Sequence, residues 1–515
     1  MEETRGLAPK RRLSGVDASF LYLERKEIPL HIAAVFIFER PIPFDSFVRN
    51  VSSKLHLLPR YRQVVTPAPM NIGYPTWEDD PKFRIRRHIF RTHLEASGGE
   101  KELEDLAGRI MTPLMDRSKP LWDIHVVDGL EHGRGALILR VHHSLADGLG
   151  VVALVNILFD STPVVSPPPP KPRTRRPKQP ASKPSLLGAV VNGIRSSVEH
   201  FVTAELGLLD FAQNLLKDRS RLAGAASLFP EALGAVERLP FNKPCSGDRK
   251  FCWAELSLTD AKAVKTAAGG RVNDVVLTAL TRAVARYVEL HGQTVTRRLI
   301  RIVCPVNLRG DTGESLGNQI TFMPVALPMD IKDPVSHLRA VASRTEAAKE
   351  VRSAELITIA ASFLGAAPPP IQAAMWRGIS NVILPLPLFN MICTNLQGSP
   401  IPLYCQGSRM IAAYPQVPTG YELGINCAVH SYCDKLQFGF IADAHVAPDV
   451  GRLRDLLYAA FEELCTATGV RKPPRKVRHS AARPQAPPVR KRSPRRTPPT
   501  ASMTAPVEQA MAVGD

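Results

Sequence analysis

The chain has 515 residues, more than one hydrophobic core accommodates, so we expect at least two domains. Hydrophobic residues make up 44% and charged residues 22%, the balance of an ordinary soluble globular protein. The net charge of +18 is typical of a nucleic-acid binder, but two proline-rich segments carry all but about +3 of it, which argues against a basic groove and a nucleic-acid partner.

The cysteine pattern and the apolar runs indicate where in the cell the protein is expected. Eight cysteines occur without a CxxC pair or a zinc-finger histidine partner, so we expect neither a disulfide framework nor a structural metal. The start of the chain lacks the apolar core of a signal peptide, and the best apolar run, residues 381–395, is short and broken by prolines. The prediction is a cytoplasmic protein that is not secreted and has no transmembrane helix.

Strands and helices alternate in the first part of the chain. Residues 31–39 are typical of a buried strand, 44–61 of an amphipathic helix, and 122–130 and 136–143 of further strands. This alternation predicts the α/β class.

A proline-rich segment follows, and a second one ends the chain. Residues 162–184 carry six Lys or Arg and no acid, and residues 471–515 carry eleven against two acids. Such segments cannot bury enough apolar surface to order themselves, so they are interpreted as a solvated linker and tail or as segments attracted to anionic lipid. Between them, residues 186–216 have the apolar spacing of a helix that packs on the core or lies at a lipid surface.

From residue 241 the alternation restarts. We expect a strand at 250–258, a helix that begins near Asn273, a strand at 299–310, a helix over about 332–351 and strands within 425–443. Two α/β halves invite an active site between them. The predicted division is an N-terminal domain (1–160), a linker (161–185), a helical crossover with the C-terminal domain (186–470) and a tail (471–515).

The most informative motif is HHSLADG, residues 142–148. Adjacent side chains on a strand point to opposite faces, so His142 and His143 cannot share one site, and a common metal ion is not expected. The structural interpretation is one core histidine and one surface histidine. The functional interpretation is that a neutral imidazole at the end of the strand acts as a general base near pH 7.

HHSLADG resembles the HHxxxDG signature of the coenzyme-A-dependent acyltransferase superfamily. The wider chain is similar to the bacterial wax ester synthase/diacylglycerol acyltransferase family. The blocks that carry this resemblance are LSGVDASFLYLE (13–24), MDRSKPLWDIHVVDGL (115–130), VNDVVL (272–277), CPVNLRG with GNQIT, TNLQGSP (394–400) and YELGINCAVHSYCDKLQFGFIAD (421–443).

The resemblance implies two chloramphenicol-acetyltransferase-like domains, each with a mixed sheet flanked by helices, and an active-site tunnel at their interface. It implies transfer of a long-chain acyl group from acyl-CoA to diacylglycerol or to a long-chain fatty alcohol. Acyl-CoA is then a substrate, and no cofactor or metal is implied. Peripheral contact with a membrane or a lipid inclusion is expected.

The same resemblance assigns residues to the site. It implies His143 as the general base, His142 as a supporting residue, and Asp147 as an orienting residue that does not touch substrate. Gly148 would let the backbone pass close to the reacting centre. Arg309 is implied as the partner of Asp147.

Asn273 and Asp274 have two interpretations that can both hold. Asn before an apolar helix is a good N-cap, and Asp in the first turn favours the helix dipole. The resemblance places the pair near the active site, where an amide or a helix-terminal donor could stabilise an oxyanion.

Two other residues are given structural interpretations. Trp122 is expected to be a core aromatic rather than a substrate contact. Ser315 lies in GESLG, a match to the serine-hydrolase pattern, but a polar loop precedes it and a strand-like run follows, which inverts the required context.

The competing hypothesis from another class is a non-catalytic protein of the same fold that binds lipid inclusions. The intact HHSLADG argues against it. A condensing acyltransferase module is a further rival, but the chain shows none of the carrier domains that usually accompany one.

Overall fold

Two six-stranded mixed sheets form the frame of the protein. The computed structural model describes residues 12–68, 73–95, 98–145, 154–155, 157–165, 236–307, 320–350, 369–380 and 387–471. The strands in these ranges are β1 His31–Phe38, β2 Gln63–Thr66, β3 Thr76–Asp79, β4 Ile89–His93, β5 Trp122–Asp128, β6 Gly135–His142, β7 Arg249–Ser257, β8 Leu299–Asn307, β9 Ile320–Pro328, β10 Met391–Gln397, β11 Tyr404–Cys405, β12 Ser408–Gln416, β13 Ile425–Tyr432 and β14 Lys435–Asp443. The α-helices are α1 Gly15–Leu23, α2 Phe44–Lys54, α3 Glu100–Met111, α4 Leu258–Ala268, α5 Val272–Leu290, α6 Pro334–Glu350, α7 Pro369–Ser380 and α8 Gly451–Ala467. The predicted α/β class is confirmed.

The first sheet has the strand order β11-β12-β1-β6-β5-β4. Strand β6 runs antiparallel to β1, with His142 opposite His31, and every residue of β6 is buried. Its alternate side chains belong to two different apolar clusters, because both faces of the sheet are covered. A strand covered on both faces has a continuous apolar sequence such as 136–139, and the buried Arg140 that follows is paired with Asp123. The histidine pair therefore stands at the end of a rigid, buried strand.

Two strands of the first sheet come from late in the chain. β12 pairs antiparallel with β1, with Tyr414 opposite Val35, and β11 pairs with β12. Residues 404–416 lie in the range 186–470 that the predicted division assigns to the helical crossover and C-terminal domain, and that division stays a prediction. Without β12, β1 would present an unpaired edge, so the crossover satisfies backbone groups that would otherwise be exposed.

The second sheet has the order β7-β14-β13-β10-β8-β9. β10 is parallel to both β8 and β13, while the other pairs are antiparallel, so the carboxyl ends of these three strands share one edge. One face packs on α4, α5, α6 and α8 in a single apolar cluster. The opposite face meets β12, where Ala413 N–H donates to Gln437 Oε1 at 2.8 Å and the ring of Trp253 stacks on Tyr414 at 4.8 Å.

The helix predicted over 44–61 is shorter than expected. The α-helix ends at Lys54, and two 3₁₀ turns follow at Leu55–Leu57 and Pro59–Arg62. Proline disfavours the α conformation of the residue before it, and Leu58 has φ −122° and ψ 72°.

Several predictions fall outside the described residues: the linker from residue 166 onward, the helix at 186–216, the tail beyond Arg471, and the positions Asp147, Gly148, Arg309 and Ser315. Among the helices that the structure does describe, none is long and apolar enough to cross a bilayer.

Candidate active site at the end of strand β6

The two histidines at the end of β6 are held by different neighbours. His142 N–H donates to Leu121 O at 3.0 Å, and His143 N–H donates to Leu30 O at 2.8 Å. The His142 ring lies against Glu24 and Ser144, whereas the His143 ring lies against Phe20. The two imidazoles therefore occupy separate environments, as the strand argument predicts.

His142 is fully buried and its ring has one hydrogen-bond arrangement. The backbone N–H of Ser144, which can only donate, points to Nδ1 at 3.1 Å, so Nδ1 carries no proton. Ser144 Oγ lies 2.7 Å from the same nitrogen. The proton of the neutral ring is then on Nε2, which lies 3.2 Å from Glu24 Oε1. The protonated side of the His142 ring thus faces a carboxylate at close range, without the alignment of a hydrogen bond.

Glu24 follows the last turn of α1, and its side chain is 1% exposed. Its carboxylate lies beside His142 and accepts hydrogen bonds from Leu30 N–H at 3.1 Å and from Arg117 Nη2 at 3.0 Å. Burial by itself raises the pKa of this carboxyl, but the contacts with His142, Arg117 and Leu30 outweigh burial and lower the pKa to about 2. Glu24 is therefore a buried anion at neutral pH.

His143 stacks face to face on Phe20, with 4.0 Å between ring centres and 16° between planes. Its Nδ1 is buried and has no hydrogen-bond partner among the described residues, while the residue as a whole keeps partial exposure. Burial lowers the pKa of the imidazole to about 4, with a smaller contribution from nearby His142 and an opposing one from its own backbone. The ring is neutral at pH 7 and able to accept a proton.

Asn273 and Asp274 lie at the start of α5. The helix begins at Val272 with Arg271 as its N-cap, so the prediction of Asn273 as N-cap is wrong by two positions. Asp274 causes this, because its Oδ2 accepts from Arg271 N–H at 2.8 Å in a capping box. Its Oδ1 accepts from Thr345 Oγ1 at 2.8 Å, and the residue is 2% exposed. Asp274 therefore holds α5 and α6 together.

The side-chain amide of Asn273 takes no part in the capping hydrogen bond between Asp274 and Arg271. Its Oδ1 accepts from Asn395 Nδ2 at 3.1 Å, which joins the VNDVVL and TNLQGSP blocks at the carboxyl edge of the second sheet. Within the part of the chain that the structure describes, no hydrogen bond or ion pair links Asn273 or Asp274 to His142 or His143. A role of Asn273 at an oxyanion stays a prediction.

Trp122 lies in the core, as predicted. It is fully buried, its Nε1–H donates to Tyr61 O at 2.8 Å, and its ring stacks on His88 at 4.7 Å.

Sequence reasoning missed Phe20 and Glu24. Both lie in LSGVDASFLYLE, which was part of the resemblance but received no role in the site. A carboxylate that ends an apolar helix just before a buried strand was the available signal, because such a group needs buried donors.

Most of the chain matches two models of one protein family. The family model described as the wax ester synthase/diacylglycerol acyltransferase catalytic domain matches residues 13–276, and the model of the C-terminal domain of the same family matches residues 316–465. Two Mycobacterium tuberculosis proteins named as probable diacylglycerol O-acyltransferases are similar along most of their length. One is 30% identical and aligns with 88% of this chain and 98% of its own; the other is 29% identical, with 86% and 93%.

Solved structures share the fold. A wax ester synthase/diacylglycerol acyltransferase from Marinobacter aquaeolei superposes with a TM-score of 0.62 at 22% identity, covering 89% of this chain and 100% of that one. The starter condensation domain of a rhizomide synthetase, solved with C8-CoA, gives 0.51 at 13% identity, covering 89% and 95%. These matches confirm the expected two-domain fold of the chloramphenicol-acetyltransferase type.

Proposed function

The chain belongs to the wax ester synthase/diacylglycerol acyltransferase family, and we propose that it transfers a long-chain acyl group from acyl-CoA to the hydroxyl of diacylglycerol, giving triacylglycerol. The observation that carries the proposal is the neutral imidazole of His143 at the end of β6, stacked on Phe20 and partly exposed. The names of the mycobacterial relatives support diacylglycerol as acceptor. The condensation domain solved with C8-CoA supports an acyl-CoA donor.

In the proposed reaction His143 acts as general base. Its Nδ1 is buried, so Nε2 is the nitrogen that would take the hydroxyl proton as the oxygen attacks the thioester carbonyl. The tetrahedral intermediate then expels the CoA sulfur, and the imidazolium returns its proton to that sulfur. A thiolate leaves readily, so no acyl-enzyme intermediate is needed. General-base catalysis supplies about 10² to 10⁴-fold, with orientation of the two substrates contributing much of the rest.

The same chemistry extends to a second acceptor. A long-chain fatty alcohol presents a hydroxyl to the same base, and its acylation would give a wax ester. The proposal therefore includes both acceptors, with the substrates reaching His143 through a tunnel between the domains. Both acceptors are lipids, so we place the enzyme at a membrane or inclusion surface, where the basic linker and tail would attract anionic lipid.

The test is an assay with radiolabelled palmitoyl-CoA and either diacylglycerol or hexadecanol. His143→Ala should lose about 10² to 10⁴-fold in kcat while acyl-CoA binding and the circular dichroism spectrum remain. The matched control is His93→Ala, which should keep full turnover. His93 is an exposed histidine of β4 that pairs with Asp128 of β5.

Two outcomes would contradict the proposal. Full turnover of His143→Ala would remove the base from the mechanism. Acyl-CoA binding without turnover in the unmodified protein would favour the non-catalytic lipid-binding hypothesis. Presenting diacylglycerol in neutral and in anionic vesicles tests the lipid surface, since equal rates would leave the basic segments without that role.

A further inference from the structure

The last turn of α1 contacts both histidines of the HHSLADG motif. Phe20 stacks on His143, and Glu24, one helical turn later, contacts His142. Glu24 N–H donates to Phe20 O at 3.2 Å, so the two side chains are fixed relative to each other. One short segment therefore sets the position of both rings.

The carboxylate of Glu24 meets donors on both of its oxygens. Leu30 N–H and His142 Nε2 lie 3.1 and 3.2 Å from Oε1, and Arg117 Nη2 lies 3.0 Å from Oε2. Because Ser144 N–H occupies the other ring nitrogen of His142, the imidazole must present its proton to Glu24. Ser144 thus sets the tautomer of a fully buried ring, and the carboxylate lies against the ring nitrogen that carries the proton.

Two connections lead from Glu24 to His143. The first runs through His142, the preceding residue of the chain. The second runs through Leu30, whose N–H is held by Glu24 and whose carbonyl accepts from His143 N–H at 2.8 Å. The backbone of His143 is thereby tied to the carboxylate from two sides.

We propose that Glu24 is the positioning residue of the catalytic base: its carboxylate, which lies against His142 Nε2 and accepts from Leu30 N–H, fixes the place of the His143 ring through these two residues. This inference rests on the proposed role of His143 as base. Glu24 does not touch substrate; it acts only through the two residues that adjoin the base.

The first test is Glu24→Gln, which keeps size and shape but turns one acceptor oxygen into a donor. Whichever way the amide turns, its NH₂ group faces either Arg117 or the pair of donors from Leu30 and His142. We expect kcat to fall about 100-fold, as a small misplacement of a catalytic group can cause. KM for acyl-CoA should stay within about threefold, because the substrate is not contacted.

The second test is a rescue. In Glu24→Gln/Arg117→Met the guanidinium is gone, so the amide NH₂ can face that side while its oxygen accepts from Leu30 and His142. The double variant should recover at least about tenfold in kcat over Glu24→Gln, measured against Arg117→Met alone as the reference. Glu27→Gln is the matched control: Glu27 is 42% exposed, pairs with Arg25, and should keep full turnover.

The outcomes separate the possible roles. A kcat of Glu24→Gln equal to that of the unmodified protein overturns the inference. The inference is also overturned if the fall in kcat comes with a raised KM and a lowered unfolding temperature and is not recovered in the double variant. That combination would indicate a purely structural role. His143→Ala is assayed in parallel: if it retains turnover, the proposed function fails, whereas an inactive His143→Ala beside a fully active Glu24→Gln removes the positioning role alone.

Discussion

At the scale of single residues, the site contains two groups whose pKa values are both lowered, for different reasons. Burial beside Phe20 favours neutral His143, whereas contacts with His142, Arg117 and Leu30 favour ionised Glu24. Neither group titrates near pH 7, so the base and the anion that orients its neighbour keep their charge states across the physiological range. The neutral base and the buried anion can lie close together because His143 contacts Phe20 whereas Glu24 contacts His142.

The pH dependence of turnover follows from His143. The base is active when unprotonated, so kcat/KM should be constant from about pH 8 to about pH 5.5 and fall below that, with an apparent pKa of about 4 in place of the ordinary 6.5. In Phe20→Ala the His143 ring gains contact with water, so the pKa of its imidazole should rise toward the ordinary value. The acid limb, the fall of kcat/KM at low pH, should then move to higher pH.

The measurement is kcat/KM against pH for both proteins, with activity at pH 7 rechecked after each acid exposure to show that the fold survives. Phe20→Leu retains an apolar cover and serves as the matched control, with its acid limb expected close to that of the unmodified protein. An acid limb near 6.5 in the unmodified protein would contradict this account of the base.

At the scale of elements, short contacts at helix ends decide what each helix does. α1 places Phe20 and Glu24 on the histidine pair, and α7 packs on α1, where Gln372 Nε2 donates to Gly15 O at 3.1 Å. α5 begins with a capping box, and its Asp274 also accepts from Thr345 of α6. The family blocks at 13–24 and 272–277 therefore correspond to helix termini with buried carboxylates.

Asp274→Ala should lower the free energy of unfolding by about 2 kcal/mol, because it removes a helix cap and a buried hydrogen bond. Thr345→Val removes only the second contact and should cost about 1 kcal/mol. Urea denaturation measures both. Turnover per folded molecule should be unchanged in Asp274→Ala, because both carboxylate oxygens are engaged in contacts within α5 and with α6. A loss of turnover in a variant of unchanged stability would instead place Asp274 in the reaction.

At the scale of the whole molecule, a strand from late in the chain, β12, pairs in the first sheet and packs on the second. β12 completes the first sheet and crosses the open face of the second, so the apolar cluster between them draws on β1, α3, β7 and β12. At Gly439 of β14 the two backbones approach so closely that a Cβ atom would overlap the carbonyl oxygen of Pro415. This glycine is needed for the approach of two backbones.

Gly439→Ala should push the sheets apart and lower the free energy of unfolding by about 3 kcal/mol, as overpacking of a core does. Gly451→Ala is the matched control. Gly451 begins α8, and a Cβ there meets only the end of the Arg454 side chain at 3.8 Å, so the change should be neutral or slightly stabilising. Denaturation of both variants gives the comparison, and equal stability would show that the crossing tolerates a side chain.

The sequence by itself determined the α/β class, most strands and helices to within a few residues, the family, and the separation of His142 from His143. Those inferences depend on local periodicity and on motifs whose residues are neighbours in the chain. The tertiary structure decided which strands complete the first sheet, that Asp274 rather than Asn273 forms the cap contact, and that Glu24 and Phe20 hold the histidine pair. These features arise from contacts between segments far apart in sequence, whose buried donors, acceptors and rings acquire partners only when the chain is folded.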